Sequence, residues 1–367
     1  MNNRVVIIYL GDFFYDARAI NMCISLLKKD CSVSVISTDR KIHPKLQIQS
    51  VDFHCISLVN QNYKKYFEFY KEVNSVLQKY AYDIIIAGDI YSLASGAKYK
   101  NKKLIYDCRE IYTHLASHEK KPLLRFFMSL YERFFLKYVD EVIVTAKTDL
   151  DYLQHKYFKY KNCSWSIIYN YPSLFSKIIP VNIRQKFKIP INNVLIVYQG
   201  VLQEGRGIKQ LLLLSSLVPS ITAVIIGGEE SQKPYVDLSK KLNINNKTVF
   251  IKKRPYYDLI NYTASCDVGW AVIKKQGMSN LYALPNKLFE YALAGLPVVG
   301  ANLPNIKNII DKYNLGVIVD EKNTEQQIKA INFLLKNKKQ KKYYQNTANK
   351  YFTWKTQEQK FIQIVNE

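Results

Sequence analysis

The stretch Val194-Leu-Ile-Val-Tyr-Gln-Gly200 is an unbroken apolar run that ends in glycine, and helical spacing follows it over Ile208–Leu217. It repeats the chain's opening, Arg4-Val-Val-Ile-Ile-Tyr-Leu-Gly11, after which Ile20, Cys23, Leu26 and Leu27 fall at helical spacing within 12–29. A short run that is apolar at successive positions, not alternate ones, suits a strand buried on both faces, as in a parallel sheet covered by helices. Similar runs at 32–37, 83–87, 103–106, 141–145 and 166–169 continue the first set, and runs at 223–228, 248–251, 267–272, 297–300 and 316–319 continue the second. Strands alternating with helices predict an α/β fold of two doubly wound, Rossmann-like halves. They join near the proline-bearing segment Pro172 to Pro190. The expected ranges are 1–175 and 190–345, with 346–367 a C-terminal helix that packs back on the first domain. In sheets of this kind ligands sit beyond the carboxyl ends of the strands, so the expected site is a cleft between the halves.

The chain has 367 residues, more than the roughly 250–300 at which one core stops growing. With 48% hydrophobic and 23% charged residues it is neither disordered nor fibrous. Fifty-three Lys and Arg against 30 Asp and Glu give a net charge of +23, which calls for an anionic partner unless codon bias supplies the lysines. The basic residues are dispersed and form no known nucleic-acid module, so nucleic acid is not an expected partner. The six cysteines form no C-x-x-C pair and read as reduced thiols of a cytoplasmic protein. The apolar run Val5 to Leu10 is too short for a signal-peptide core, and no run reaches the roughly 18 residues of a spanning helix. The five histidines, His43, His54, His114, His118 and His155, are scattered and read as structural or exposed. No metal site is expected.

The densest chemical signal is Ala283-Leu-Pro-Asn-Lys-Leu-Phe-Glu-Tyr-Ala-Leu-Ala-Gly-Leu-Pro-Val-Val299. Pro285 suits the first turn of a helix, whose free amides, including that of Asn286, would meet a phosphate. Glu290 lies further along, where a carboxylate accepts hydrogen bonds from sugar hydroxyls. Lys287 either faces the phosphate or sits in solvent. Gly295 ends the helix. The same spacing also suits a capped helix that merely feeds a strand. After the first strand, Gly11 permits close backbone approach. Beyond it Asp12, Asp16 and Arg18 are candidates to hydrogen-bond a ligand's hydroxyls, and the two carboxylates serve equally as helix caps.

This segment resembles the donor-site signature of the family 4 retaining glycosyltransferases of GT-B fold, in particular a bacterial branch reading P-N-K-x-F-E-Y and then A-G-x-P-V. Other landmarks resemble the family's in order: Gln199-Gly-Val-Leu-Gln-Glu-Gly-Arg-Gly207, Ile225-Ile-Gly-Gly-Glu229, Cys266-Asp-Val-Gly269, Ile105-Tyr-Asp-Cys-Arg-Glu-Ile-Tyr112, Asp140-Glu-Val-Ile-Val144 and Ile168-Tyr-Asn170. The resemblance covers nearly the whole chain. It implies transfer of a sugar, with retained anomeric configuration and no bound metal or other cofactor, from a nucleotide diphosphate-sugar to a glycan or lipid-linked glycan. The pathway implied is assembly of a bacterial surface polysaccharide. Arg206 matches the family's diphosphate-binding lysine, and Glu290 its ribose-binding glutamate. Gly200 and Gly228 fall in the glycine-rich strand ends. Three departures accompany it. Tyr282 stands where the family's first glutamate is expected. Val201 replaces a common arginine. Arg109 takes the place of a histidine near the transferred sugar, which implies a changed role. A catalytically silent partner of the same fold and a sugar-nucleotide epimerase are the alternatives.

Two segments bear on membranes. In 120–138, K-K-P-L-L-R-F-F-M-S-L-Y-E-R-F-F-L-K-Y, the polar residues Arg125, Ser129, Glu132, Arg133 and Lys137 make one narrow helical stripe. Either this helix is buried between a sheet and its neighbours, or it inserts partly at an anionic bilayer surface. Asn62 to Tyr80, aromatic on one face and basic elsewhere, is a second such element. A cytoplasmic protein, or one peripheral on the inner membrane face, is expected.

Overall fold

The computed structural model describes residues 3–38, 48, 50–60, 62–115, 118–158, 163–174, 177–337 and 339–367. The chain divides into two compact units, 1–173 with Trp354–Glu367, and Leu174–Thr353.

The first unit carries the strands β1 (Arg4–Ile8), β2 (Ser32–Ser37), β3 (Val51–Cys55), β4 (Ile84–Ala87), β5 (Lys103–Cys108), β6 (Glu141–Val144) and β7 (Ser164–Ile167). They form a sheet of order β3-β2-β1-β4-β5-β6-β7. Every pairing is parallel, with Ile8 beside Ile36 on one side and Ala87 on the other. Its helices are α1 (Ala17–Leu27), α2 (Lys64–Leu77), α3 (Ile90–Ala97), α4 (Pro122–Leu136) and α5 (Lys147–Lys156). One core cluster joins Val6, Ile8, Phe69, Val73, Ile85, Leu93, Tyr106 and Val142.

The second unit carries α6 (Ile183–Lys186), β8 (Val194–Gln199), α7 (Ile208–Leu217), β9 (Ile221–Gly227), α8 (Lys233–Lys241), β10 (Thr248–Lys252), α9 (Tyr256–Thr263) and β11 (Val268–Ala271). There follow α10 (Gly277–Leu281), α11 (Asn286–Leu293), β12 (Val298–Ala301), α12 (Pro304–Tyr313), β13 (Gly316–Val319), α13 (Thr324–Lys336) and α14 (Lys341–Tyr351). The sheet order is β10-β9-β8-β11-β12-β13, again parallel throughout. Two clusters, one around Leu195, Leu288 and Val298 and one around Ile196, Leu211 and Trp270, cover its two faces.

The last helix, α15 (Lys355–Asn366), returns to the first unit. The crossing falls at Trp354, later than the 346 expected from sequence, because α14 packs on α11 and Phe352 lies 5.1 Å from Phe289, centroid to centroid. Trp354 Nε1 then donates to Ser25 Oγ at 2.7 Å, and Glu358 accepts from Ser25 and Lys28, both at 2.9 Å.

Each sheet reverses its strand order once, between β1 and β4 and between β8 and β11. Ligands of doubly wound sheets bind at such switch points, beyond the carboxyl ends. The segments after β1 and β8 are those that open at Gly11 and Gly200. Among the described residues no helix is long and apolar enough to cross a membrane.

Candidate active site

At the switch point of the second unit, β8 ends on Gln199 and the chain turns at Gly200, whose φ of +120° disfavours any side chain. Gly207 closes the loop at φ +85°, and a Cβ there would lie 1.9 Å from the carbonyl oxygen of Val272. Two hydrogen bonds clamp the loop to the end of β11: Trp270 Nε1 donates to Gly207 O at 2.9 Å and Lys274 N to Gly205 O at 2.8 Å. Arg206, between these anchors, is partly exposed, and its guanidinium makes no hydrogen bond or ion pair among the described residues.

α11 opens opposite this loop. Pro285 is not in the first turn, as its sequence position suggests, but at the cap, with extended backbone at φ −74° and ψ 136°. No side chain caps the helix, so the amides of Asn286 and Lys287 are left for a ligand. The other end closes as expected: Gly295 has φ +82°, and Leu296 N donates to Tyr291 O at 2.9 Å.

Lys287 is buried, at 9% exposure, so it does not sit in solvent. Its Nζ lies 3.6 Å from the centroid of Tyr198 and 3.9 Å from where a Cβ on Gly200 would stand. Burial, then the charge of Arg206, pushes its amine well below the ordinary lysine value, and Glu290 pulls the other way. Glu290 is partly buried, with its carboxyl raised by desolvation against the opposing effects of Gln199 and Lys287. Gln199 Nε2 donates to Glu290 Oε2 at 2.5 Å, and Thr263 Oγ1 donates to Gln199 Oε1 at 2.5 Å. The amide is thus fixed with its donor end towards the carboxylate. Sequence reasoning gave Gln199 no role; its signal was a lone polar residue closing an apolar strand.

Arg206, Lys287 and Glu290 therefore share one end of one sheet. The remaining candidates contribute differently. Tyr282 ends α10, and its carbonyl accepts from Asn305 Nδ2 at 2.6 Å. Gly228 has φ −58°, and a Cβ there would meet only Ser231 Oγ, at 4.0 Å, so its backbone does not demand glycine. The constrained neighbour is Gly227, where a Cβ would lie 2.5 Å from Leu202 Cγ and 2.7 Å from Gly200 O.

At the switch point of the first unit, a Cβ on Gly11 would lie 2.9 Å from the ring of Tyr9, and Arg109 lies over that ring at 5.2 Å. Arg109 Nε donates to Asp107 Oδ2 at 2.8 Å, Nη1 pairs with Asp16, and Nη2 is buried without a hydrogen-bond partner among the described residues. Burial opposes its charge, but Asp16 and Asp107 outweigh that and raise its pKa. Arg18, read as a possible contact to acceptor, is instead fully buried, held by Asp107 at 2.7 Å and by Ile168 O at 2.8 Å. Burial alone would raise the Asp107 carboxyl, yet the two arginines hold it below its usual range. Asp12 and Asp16 act as caps, accepting from Phe14 N at 3.2 Å and Ala19 N at 2.8 Å. Asp89 ties the β1 segment to α3, accepting from Leu10 N at 2.6 Å and Ser92 N at 2.7 Å.

Among the described residues no group of three or more His, Cys, Asp or Glu is arranged to hold a metal ion. His54 faces Asp52 at 3.1 Å and His114 faces Arg125 at 2.6 Å, while His43 lies outside the described residues.

Two Rossmann-like units with these switch-point loops define the GT-B architecture. Residues 17–171 match the family description Glycosyltransferase Family 4, and residues 181–351 match Glycosyl transferases group 1. The chain belongs to the family 4 glycosyltransferases. Its fold is similar to that of sucrose-phosphate synthase from Thermosynechococcus elongatus, with a TM-score of 0.75 and 15% identity over 99% of this chain and 98% of that one. HepE from Anabaena, solved in complex with UDP-glucose, has a TM-score of 0.72 and 17% identity over 99% of each chain. An uncharacterized glycosyltransferase of Haemophilus influenzae is 25% identical over 152 residues. That match spans 40% of this chain and 41% of the relative's length.

Proposed function

We propose that the protein is a retaining glycosyltransferase that moves a sugar from a nucleotide diphosphate-sugar to a hydroxyl of a glycan or lipid-linked glycan in bacterial surface polysaccharide synthesis. The observation that carries the reading is the convergence of Arg206, Lys287, the uncapped start of α11 and Glu290 at the switch point of the second unit. When the bond between the sugar's anomeric carbon and the phosphate oxygen breaks, negative charge grows on the departing diphosphate. Two cations and two free amides aimed at that charge supply the stabilisation for which other enzymes use a divalent ion, so the reaction is proposed to need no metal. Glu290, oriented by Gln199, accepts from the donor's ribose hydroxyls. The complex of HepE with UDP-glucose makes a uridine diphosphate-sugar the first donor to try.

In the first unit Arg109 spends two of its nitrogens on Asp16 and Asp107. Its proposed role is to hold the loop after β1 in place, with only Nη2 left for a substrate oxygen. The test is release of nucleoside diphosphate and formation of glycoside from a panel of donors and acceptors. The anomeric proton coupling of the product is read by NMR. Product of inverted configuration, or undiminished turnover in folded Arg206→Ala and Glu290→Ala, contradicts the reading.

A further inference from the structure

On α4, at 100° per residue, Leu123, Phe126, Phe127, Leu130 and Phe134 fall on one stripe, and all five are exposed, Leu123 by 73%, Phe127 by 62% and Phe134 by 53%. Glu132, the helix's only acidic residue, lies on the opposite side at 1% exposure. Its carboxylate accepts from the hydroxyls of Tyr106 at 2.9 Å and Tyr157 at 2.5 Å. The inward side is apolar as well: Leu136 is buried and Met128, Tyr131 and Phe135 pack against the core, so these contacts and the two hydroxyls fix the helix with a second apolar stripe outward. An apolar stripe left in solvent by a helix whose other side already packs on the core marks a face kept outward for use.

The flanking charge says what the face meets. Lys120, Lys121, Arg133 and Lys137 are exposed beside the stripe, and Lys137 Nζ lies 3.9 Å from the ring centroid of Phe134. From Lys120 to Lys137 every exposed charge is positive. α3 packs against both α2 and α4, and next to it Tyr63 and Phe67 are exposed with Lys64 and Lys71. An apolar ridge between cations fits a surface whose outer layer is anionic and whose interior is hydrocarbon. A second copy of this chain fits poorly, since each copy carries a net charge of +23 and would bring like-charged rims together.

We propose that α4 docks the first unit on an anionic phospholipid bilayer, with Leu123, Phe126, Phe127, Leu130 and Phe134 in the boundary between headgroups and acyl chains and the flanking lysines on the headgroup phosphates. Docking is read without sugar transfer, so its failure leaves the donor-site reading standing, and the reverse. The full-length protein is floated with vesicles of phosphatidylcholine alone and of phosphatidylcholine with phosphatidylglycerol, at low and high salt. The expected result is binding to the anionic vesicles that weakens with salt, and that falls by about tenfold or more in the triple variant F126S/F127S/F134S. Because these side chains are exposed, the variant's melting temperature stays at the parent value. The triple variant K120E/K121E/K137E loses the preference for anionic vesicles. Binding to neither vesicle, equal binding to both, or undiminished binding by F126S/F127S/F134S overturns the proposal. So does a parent that sediments as a dimer while that variant sediments as a monomer, since the face then meets a second copy.

Discussion

Lys287 is a buried amine set over a tyrosine ring and near a second cation, with Glu290 opposing their effect. In the free protein the amine is held below its ordinary value, and a bound diphosphate raises it again. Affinity for a nucleoside diphosphate therefore falls as pH rises from the free-protein value towards the value in the complex. Isothermal titration from about pH 6 to about pH 9 shows this slope, and Lys287→Met flattens it while weakening binding about tenfold to a hundredfold. The stability effect has the opposite sign. Between the lowered folded value and the ordinary lysine value the unfolded chain binds more protons, so stability rises with pH through that window, and burying the amine costs stability at neutral pH. Lys287→Met is thus expected to gain about 1 kcal/mol, roughly 2–4 °C in melting temperature for a unit of this size. Arg206→Ala leaves the melting temperature unchanged and lowers turnover by about 10²–10³. The residue types and spacing of Arg206 and Glu290 were legible in the sequence. The burial of Lys287 and the role of Gln199 were not, because both depend on how α11 lies across the end of β8.

At the scale of elements, the two glycine-rich turns of the second unit differ in what they demand. Gly207→Ala places a Cβ against Val272 O at positive φ and is expected to cost more than about 1 kcal/mol, whereas Gly228→Ala falls within about 0.5 kcal/mol of the parent. Urea midpoints of the two variants check the contrast. In α4, burial raises the Glu132 carboxyl above its ordinary value, with Tyr157, Lys156 and Tyr106 opposing. The folded state then holds that proton more tightly than the unfolded chain, and stability falls as pH rises from about 4 through the folded value. Glu132→Gln removes this part of the slope, read from urea midpoints at about pH 4 and about pH 7.

The continuous runs of β1, β4, β8 and β9 announced themselves because both faces are buried. β3 did not: Val51-Asp-Phe-His-Cys55 mixes polar and apolar residues at the sheet edge, where one flank has no partner strand among the described residues. The rotation of α4 was equally hidden. Phe126, Phe127 and Phe134 look like core until Tyr106 and Tyr157, distant in sequence, are seen to hold Glu132 inside beside the buried Leu136.

For the whole molecule, the repeated opening at Arg4 and Val194 was enough to give two doubly wound units, and each sheet reverses order beside the strand that opens it. The tail was harder to read. Residues 336–367 suggested a basic run followed by one amphipathic helix, but Phe352 completes the second unit and Trp354 begins the return to the first. A break of one residue between two apolar anchors leaves no mark in the spacing. The chain's central chemistry rests on a donor site in the second unit. The most direct measurement is thermal unfolding of the full-length protein with UDP, GDP, ADP, CMP and their common sugar conjugates, repeated with Arg206→Ala. A ligand at about 100 times its dissociation constant stabilises by roughly 2.7 kcal/mol. The donor site is expected to let one nucleoside diphosphate and its sugars raise the midpoint of the parent, a shift lost in Arg206→Ala. No shift with any nucleotide, or an equal shift in Arg206→Ala, contradicts it.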